Sequence, residues 1–217
     1  MKRDGYTASG CAWFKPLILG AALIAAPITA EAEGFKTLPH LAKVTGLAAN
    51  DTLNVRANPS AQSADIGDIK QDQTVEVLEL DSSGKWARIL QAEGNGWVST
   101  RYLAQQSQAM TPSGMPLGLH CTGTEPFWSA RLDADATVHF EVMGQGAQSY
   151  PLDWTSPSQN RGGAEYGLSA TGLSGILRRA ACSDGMSDRN YGWALDLIVE
   201  SEGGKTLLGG CCSAQLP

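Results

Sequence analysis

The chain has 217 residues, 42% of them hydrophobic, and a formal net charge of −6. That length holds two small domains and little more. An acidic chain whose Lys and Arg are scattered offers no footprint for nucleic acid and no polybasic cluster for anionic lipid.

The first 32 residues read as an export signal. Lys2, Arg3 and Lys15 give a positive start, residues 17–27 (LILGAALIAAP) a short apolar run, and Ala30-Glu31-Ala32 a small-x-small cleavage site before Glu33. The run is far shorter than the ~20 apolar residues of a membrane span, so no stable span is expected after cleavage. Cys11 precedes the run, whereas a lipid-anchored chain carries its cysteine at the cleavage point. The expected location is periplasmic or secreted.

Residues 41–103 form the first predicted domain. Short alternating runs between turn residues predict strands at 53–56, 74–79, 85–89 and 96–98. Val75 and Val77 share one face of their strand, Thr74 and Glu76 the other. The stretch TLNVRANPSAQSADIGDIKQDQTVEVLE, followed by GKWARI and GNGWVSTRYL, resembles a bacterial SH3-like (SH3b) domain over nearly the whole segment. The resemblance rests on the LNVR strand, the Asn58-Pro59-Ser60 turn, Trp86, and the Gly96-Trp97-Val98 strand that leads to Tyr102-Leu103. It implies a small β-barrel of about five or six strands. In exported bacterial proteins such modules bind peptidoglycan or its peptide stems, or serve as spacers. Trp86 and Trp97 are the bulkiest candidates for filling so small a barrel. Together with Asn54, Arg56 and Tyr102 they are also the candidate ligand contacts, because aromatic side chains give large contact area at low entropy cost. Arg56 reads first as the partner of a carboxylate.

Residues 104–118, AQQSQAMTPSGMPLG, are rich in Gln, Ser, Pro and Gly without apolar periodicity and read as a linker. The second domain is expected over 119–215. Val138, Phe140 and Val142 alternate with Thr137, His139 and Glu141, and Trp193, Leu195, Leu197 and Val199 share a face opposite Ala194, Asp196, Ile198 and Glu200. Residues 205–211 form a last strand, and 168–177 are either two short strands or a glycine-rich hairpin. An antiparallel barrel or sandwich of about six to eight strands is expected. The fold class is therefore all-β: an N-terminal SH3-like small barrel and a C-terminal, disulfide-bonded antiparallel β-barrel or sandwich.

Beyond the signal the cysteines are Cys121, Cys182, Cys211 and Cys212, an even set that in an exported chain reads as a disulfide framework. A bridge between neighbours is disfavoured, since their Cα atoms lie ~3.8 Å apart where a disulfide prefers ~5.5 Å. Both remaining pairings join the Cys211-Cys212 pair to Cys121 and Cys182. On a strand the two side chains point to opposite faces, so each sulfur reaches a different partner. A zinc site would recruit His120 or His139, but no C-x2-C pair is present; no metal or other cofactor is expected. The GTEPFW turn, the CSDGMSDRNY loop and the final strand ending Gly209-Gly210-Cys211 resemble a family of bacterial envelope proteins over most of 119–213. That resemblance implies a compartment and a fold rather than a chemistry. It also implies the pairs Cys182–Cys211 and Cys121–Cys212.

The CSDGMSDRNY loop is the one segment dense in reactive side chains. Ser187 lacks the setting of a nucleophile: Arg189 stands where a nucleophile elbow needs glycine, a strand follows rather than a helix, and no histidine is placed for it. Asp184 or Asp188 with Glu125 would suit glycosidic hydrolysis only at about 5–9.5 Å separation. Acids in a glycine turn more commonly bond their own backbone. The loop therefore reads as a structural turn, with Asp184 and Asp188 presenting a contact surface beside Glu125 and Trp128, and no catalytic residue is assigned. The expected function is an exported, non-enzymatic cell-envelope protein whose first domain binds peptidoglycan or a protein partner. The alternatives are an inhibitor or sensor of an envelope enzyme such as lysozyme, whose basic charge suits an acidic binder, and a cell-wall hydrolase using Glu125 and Asp188.

Overall fold

Alternating apolar residues punctuated by Gly and Pro fold, among the described residues, into sixteen strands in two antiparallel sheets. The computed structural model describes residues 37–91 and 94–216, and the expected export segment lies outside them. Among the described residues there is no α-helix.

The first sheet contains β1 (His40–Val44), β2 (Thr52–Arg56), β3 (Asp65–Lys70), β4 (Thr74–Leu80), β5 (Trp86–Leu90), β6 (Asn95–Ser99) and β7 (Leu103–Gln105). Its spatial order is β3-β2-β6-β5-β4-β1-β7. The inward faces bury Val44, Val55, Val77, Ile89 and Val98 completely. At Gly96 a Cβ would lie 2.2 Å from Val55 Cγ1, so only glycine lets β6 approach β2 this closely. Trp86 and Trp97 do not fill this barrel: the core is aliphatic, and both tryptophans stand half-buried on the outward faces of β5 and β6. Three strands escape the sequence pattern. In β3, DIGDIK, only Ile69 is buried, so there is no alternation to read. β1 begins just ahead of the expected boundary, and β7 runs into the expected linker.

The second sheet contains β8 (Leu119–Thr124), β9 (Phe127–Leu132), β10 (Thr137–Val142), β11 (Gln148–Pro151), β12 (Trp154–Pro157), β13 (Glu165–Ala170), β14 (Leu173–Cys182), β15 (Tyr191–Ser201) and β16 (Gly204–Ala214). Its order, β11-β10-β9-β8-β16-β15-β14-β13-β12, makes two meanders joined where β8 pairs with β16. The ambiguous glycine-rich stretch is the β13–β14 hairpin, turning at Gly172 with φ +82°. The edge strands β11 and β12 are separated only by Leu152 and Asp153. Three Cα steps reach at most about 11 Å, so the sheet must curl until its edges approach each other, giving a half-barrel. Leu119, Leu132, Leu168, Leu177, Leu195 and Leu197 pack inside it. Nine strands exceed the expected number because β11 and β12 are four-residue edges, each ending in proline, with no alternation of their own.

The segment read as a linker carries core residues of this half-barrel. Met115 and Leu117 are 0% and 2% exposed within it, and the Thr111 amide donates to the Met115 carbonyl at 2.9 Å. Cys212 faces the same core and is bonded to Cys121, directly opposite on β8, with Cα atoms 3.9 Å apart. Cys211 faces outward and is bonded to Cys182 at the end of β14, Cα to Cα 5.6 Å. The two sheets touch directly. The Ala214 amide donates to Glu76 Oε2 at 3.0 Å, and a Cβ on Gly192 would lie 2.6 Å from Pro39 Cγ. Glu76 sits on the polar face of β4, yet it is only 3% exposed because the end of β16 covers it.

Candidate functional site

Residues 183–190 connect β14 to β15, and Asp184 organises them. Its Oδ1 accepts the Ser187 and Met186 amides at 2.9 and 3.0 Å, and its Oδ2 accepts the Ser187 and Tyr191 hydroxyls at 2.8 and 3.2 Å. These bonds, the Ser187 and Met186 amides foremost, hold its carboxyl down to about 2. Gly185 supplies the left-handed turn at φ +71°. Ser187 Oγ donates to Asp184 and accepts the Arg189 amide at 3.3 Å, so the hydroxyl closes the turn. The Cys182–Cys211 bridge ties the loop's start to the outer face of β16.

The loop has a concave surface on either side. On one side, a groove of about 650 Å³ separates it from the outward face of the first sheet. Trp97 lies in that face, opposite Arg88 on β5 and Arg56 on β2. Each arginine is held by a carboxylate: Arg88 Nη1 lies 3.0 Å from Glu79 Oε1, and Arg56 Nη1 3.4 Å from Asp65 Oδ2. Asn54 also donates to Asp65, and that bond, the Gly67 amide and the Arg56 charge lower the Asp65 carboxyl. Asp188 and Asn190 form the groove's other wall. The Asn190 amide donates to Asn95 Oδ1 at 2.7 Å, and Asn95 Nδ2 returns a bond to the Asn190 carbonyl at 3.2 Å. That exchange fixes the loop against β6.

On the other side of the loop, a cleft of about 450 Å³ lies against the outer face of β8, β9 and β10. Phe127, Glu141 and Met143 come from the sheet, Asp184 and Met186 from the loop. Trp128, 4% exposed, packs 5.9 Å from Phe140 and reaches the cleft from below. Cβ atoms at Gly123 or Gly210 would lie 2.1 and 2.6 Å from its indole, so two glycines make room for it.

The sequence candidates therefore divide. Asn54, Arg56, Trp86 and Trp97 share the outward face of the first sheet, but of these Trp97 lines the groove. Tyr102 packs against that barrel's core, with the Arg101 guanidinium 4.5 Å over its ring. Trp128 and Asp184 meet at the β8–β10 cleft, and Glu125 is exposed on the turn between two of its walls, Thr124 and Phe127. Asp188 belongs to the groove instead, so neither of these two concavities brings Glu125 and Asp188 together. Sequence reasoning missed Arg88 and Asn190 in the groove, and Phe127, Glu141, Met143 and Met186 in the cleft. Continuing the alternation of β10 by one step puts Glu141 and Met143 on one face, a signal that was available. Met186 carries none. Among the described residues, no group of three His, Cys, Asp or Glu is placed to hold a metal ion. The four cysteines there are all in disulfides, which leaves no thiolate ligand.

The strand pairing around Trp97, Arg88 and Arg56 is that of a small barrel with a half-open aromatic face, and the sequence over it agrees with a known module. Residues 51–104 match the bacterial SH3 domain family. The SH3 match covers β2 to β6 and the start of β7, while β1 completes the sheet from outside the matched range. SH3 modules of this kind bind cell-wall material or proteins. No curated protein and no solved structure matches the chain.

Proposed function

We propose that the protein is an exported, non-enzymatic component of the bacterial cell envelope that docks through its SH3 domain on peptidoglycan or on a protein partner. The observation that carries this reading is the groove. Trp97 stands half-buried between Arg88 and Arg56, which are paired with Glu79 and Asp65, and Trp97 and Arg88 face the groove wall that Asp188 and Asn190 of the β14–β15 loop supply. A ring so placed stacks on a sugar or a peptide unit, and the flanking guanidiniums lie within reach of the carboxylates of a peptide stem. The two disulfides support an oxidising compartment. The resemblance of residues 119–213 to an envelope family rests on its motifs and points to the same compartment.

Co-sedimentation with purified sacculi tests this. The wild-type protein should pellet with the sacculi, and Trp97→Ala should lower the bound fraction roughly tenfold, the loss of a well-placed aromatic anchor. Wild-type protein that stays in the supernatant removes peptidoglycan as the ligand.

A further inference from the structure

We propose that the cleft on the outer face of β8–β10 is a separate binding site for a small organic cation, a molecule with an apolar body and one protonated amine or quaternary ammonium. Its volume of about 450 Å³ falls in the range of small-molecule sites. Its rim gathers three large apolar side chains that folding leaves in water: Phe127 at 46%, Met143 at 73% and Met186 at 69% exposed. Scattered apolar residues on a surface need no explanation, but three around one concavity do. Methionines adapt to irregular ligands, and an aromatic face attracts a cation.

Charge selects the ligand class. Glu141 and Asp184 line the cleft, and no Lys, Arg or His does. Among the described residues Glu141 has no ion-pair or hydrogen-bond partner for its carboxylate. Asp184, held to about 2 by the loop amides, keeps its charge throughout the neutral range. A cation entering between Phe127 and the two methionines meets one carboxylate on the sheet wall and another on the loop wall. The floor is preformed, since Trp128 is locked over Gly123 and Gly210. The site lies across the loop from the Trp97 groove and does not depend on what the SH3 domain binds.

The test is a titration of the full protein, carrying ¹³C-methyl-labelled methionine, with benzyltrimethylammonium and with phenylacetate as its anionic counterpart. The expected result is a saturable shift of the Met143 and Met186 methyl signals with the cation, no shift with phenylacetate, and none at the buried Met115. Glu141→Gln alters one side chain on the strand surface, so the fold should persist. It should weaken the cation's binding roughly tenfold, the loss of one of the two carboxylate charges that face it. Equal responses to cation and anion, or an affinity unchanged in Glu141→Gln, would overturn the proposal. So would methyl shifts produced by a lysine-rich peptide and by neither small ion, which would make the cleft a protein-docking surface instead.

Discussion

Glu76 carries a charge problem that its neighbours resolve only in part. Burial against the end of β16 raises its carboxyl to about 7 from an ordinary 4.5, and the single amide of Ala214 opposes that rise without cancelling it. Below pH 4.5 the group is protonated whether the chain is folded or not, and its contribution to stability is complete. As pH climbs from 4.5 to about 7, the unfolded chain ionises while the folded one keeps its proton, so stability falls; above that the loss is complete. The whole loss is about 3 kcal/mol, at roughly 1.4 kcal/mol for each pH unit. Urea titrations at pH 5 and pH 7.5 should therefore show a lower midpoint for the wild type at the higher pH, and Glu76→Gln should remove most of that difference. A wild-type and variant pair with the same pH dependence would show that Glu76 is hydrated in solution. Alternation placed this residue on the polar face of β4, which is correct. It could not show that β16, 138 residues further along, ends against that face.

The loop between β14 and β15 does its work as an element, because one turn borders two concave surfaces. Its shape comes from Asp184 and Gly185, and its position from Cys182–Cys211 at one end and the Asn190–Asn95 exchange at the other. The Cys182–Cys211 bridge closes 29 residues and the Cys121–Cys212 bridge 91. In the chain-entropy account they contribute about 3–4 and 4–5 kcal/mol respectively. Replacing Cys182 and Cys211 together by serine should lower stability by the smaller amount and speed amide exchange at Met186 and Ser187. Replacing Cys121 and Cys212 should cost more and leave exchange in that loop slow relative to global opening. Equal exchange in the two double variants would mean the bridge does not position the loop. The turn character of this segment was legible from Ser183 and Asp184, side chains of the kind that accept nearby backbone amides, and from Gly185, which takes the left-handed turn. Its two neighbouring surfaces were not. Asp188 and Glu125 look like a pair in one dimension, but the sheet order sends one to the Trp97 groove and the other to the β8–β9 turn.

At the scale of the whole molecule, the division into two β-units with separate cores is visible in alternation and turn residues, and the SH3 part in its motif. What alternation hides is how the units meet. Pro39, Glu76, Asn95, Asn190 and Ala214 have no periodic signature that marks them as contacts, and Met115 and Leu117 sit in a stretch whose composition reads as a spacer. The outcome is a groove owned by neither unit alone, with Trp97 from one and Asp188 and Asn190 from the other. The most direct measurement is amide and indole chemical-shift mapping of the full protein during titration with soluble peptidoglycan fragments. A shared groove requires the Trp97 indole signal and the Asp188 and Asn190 amides to move together along one saturable curve. Fragments that bind while leaving these three signals in place, or that shift the Trp97 indole alone without the loop amides, would contradict a shared groove.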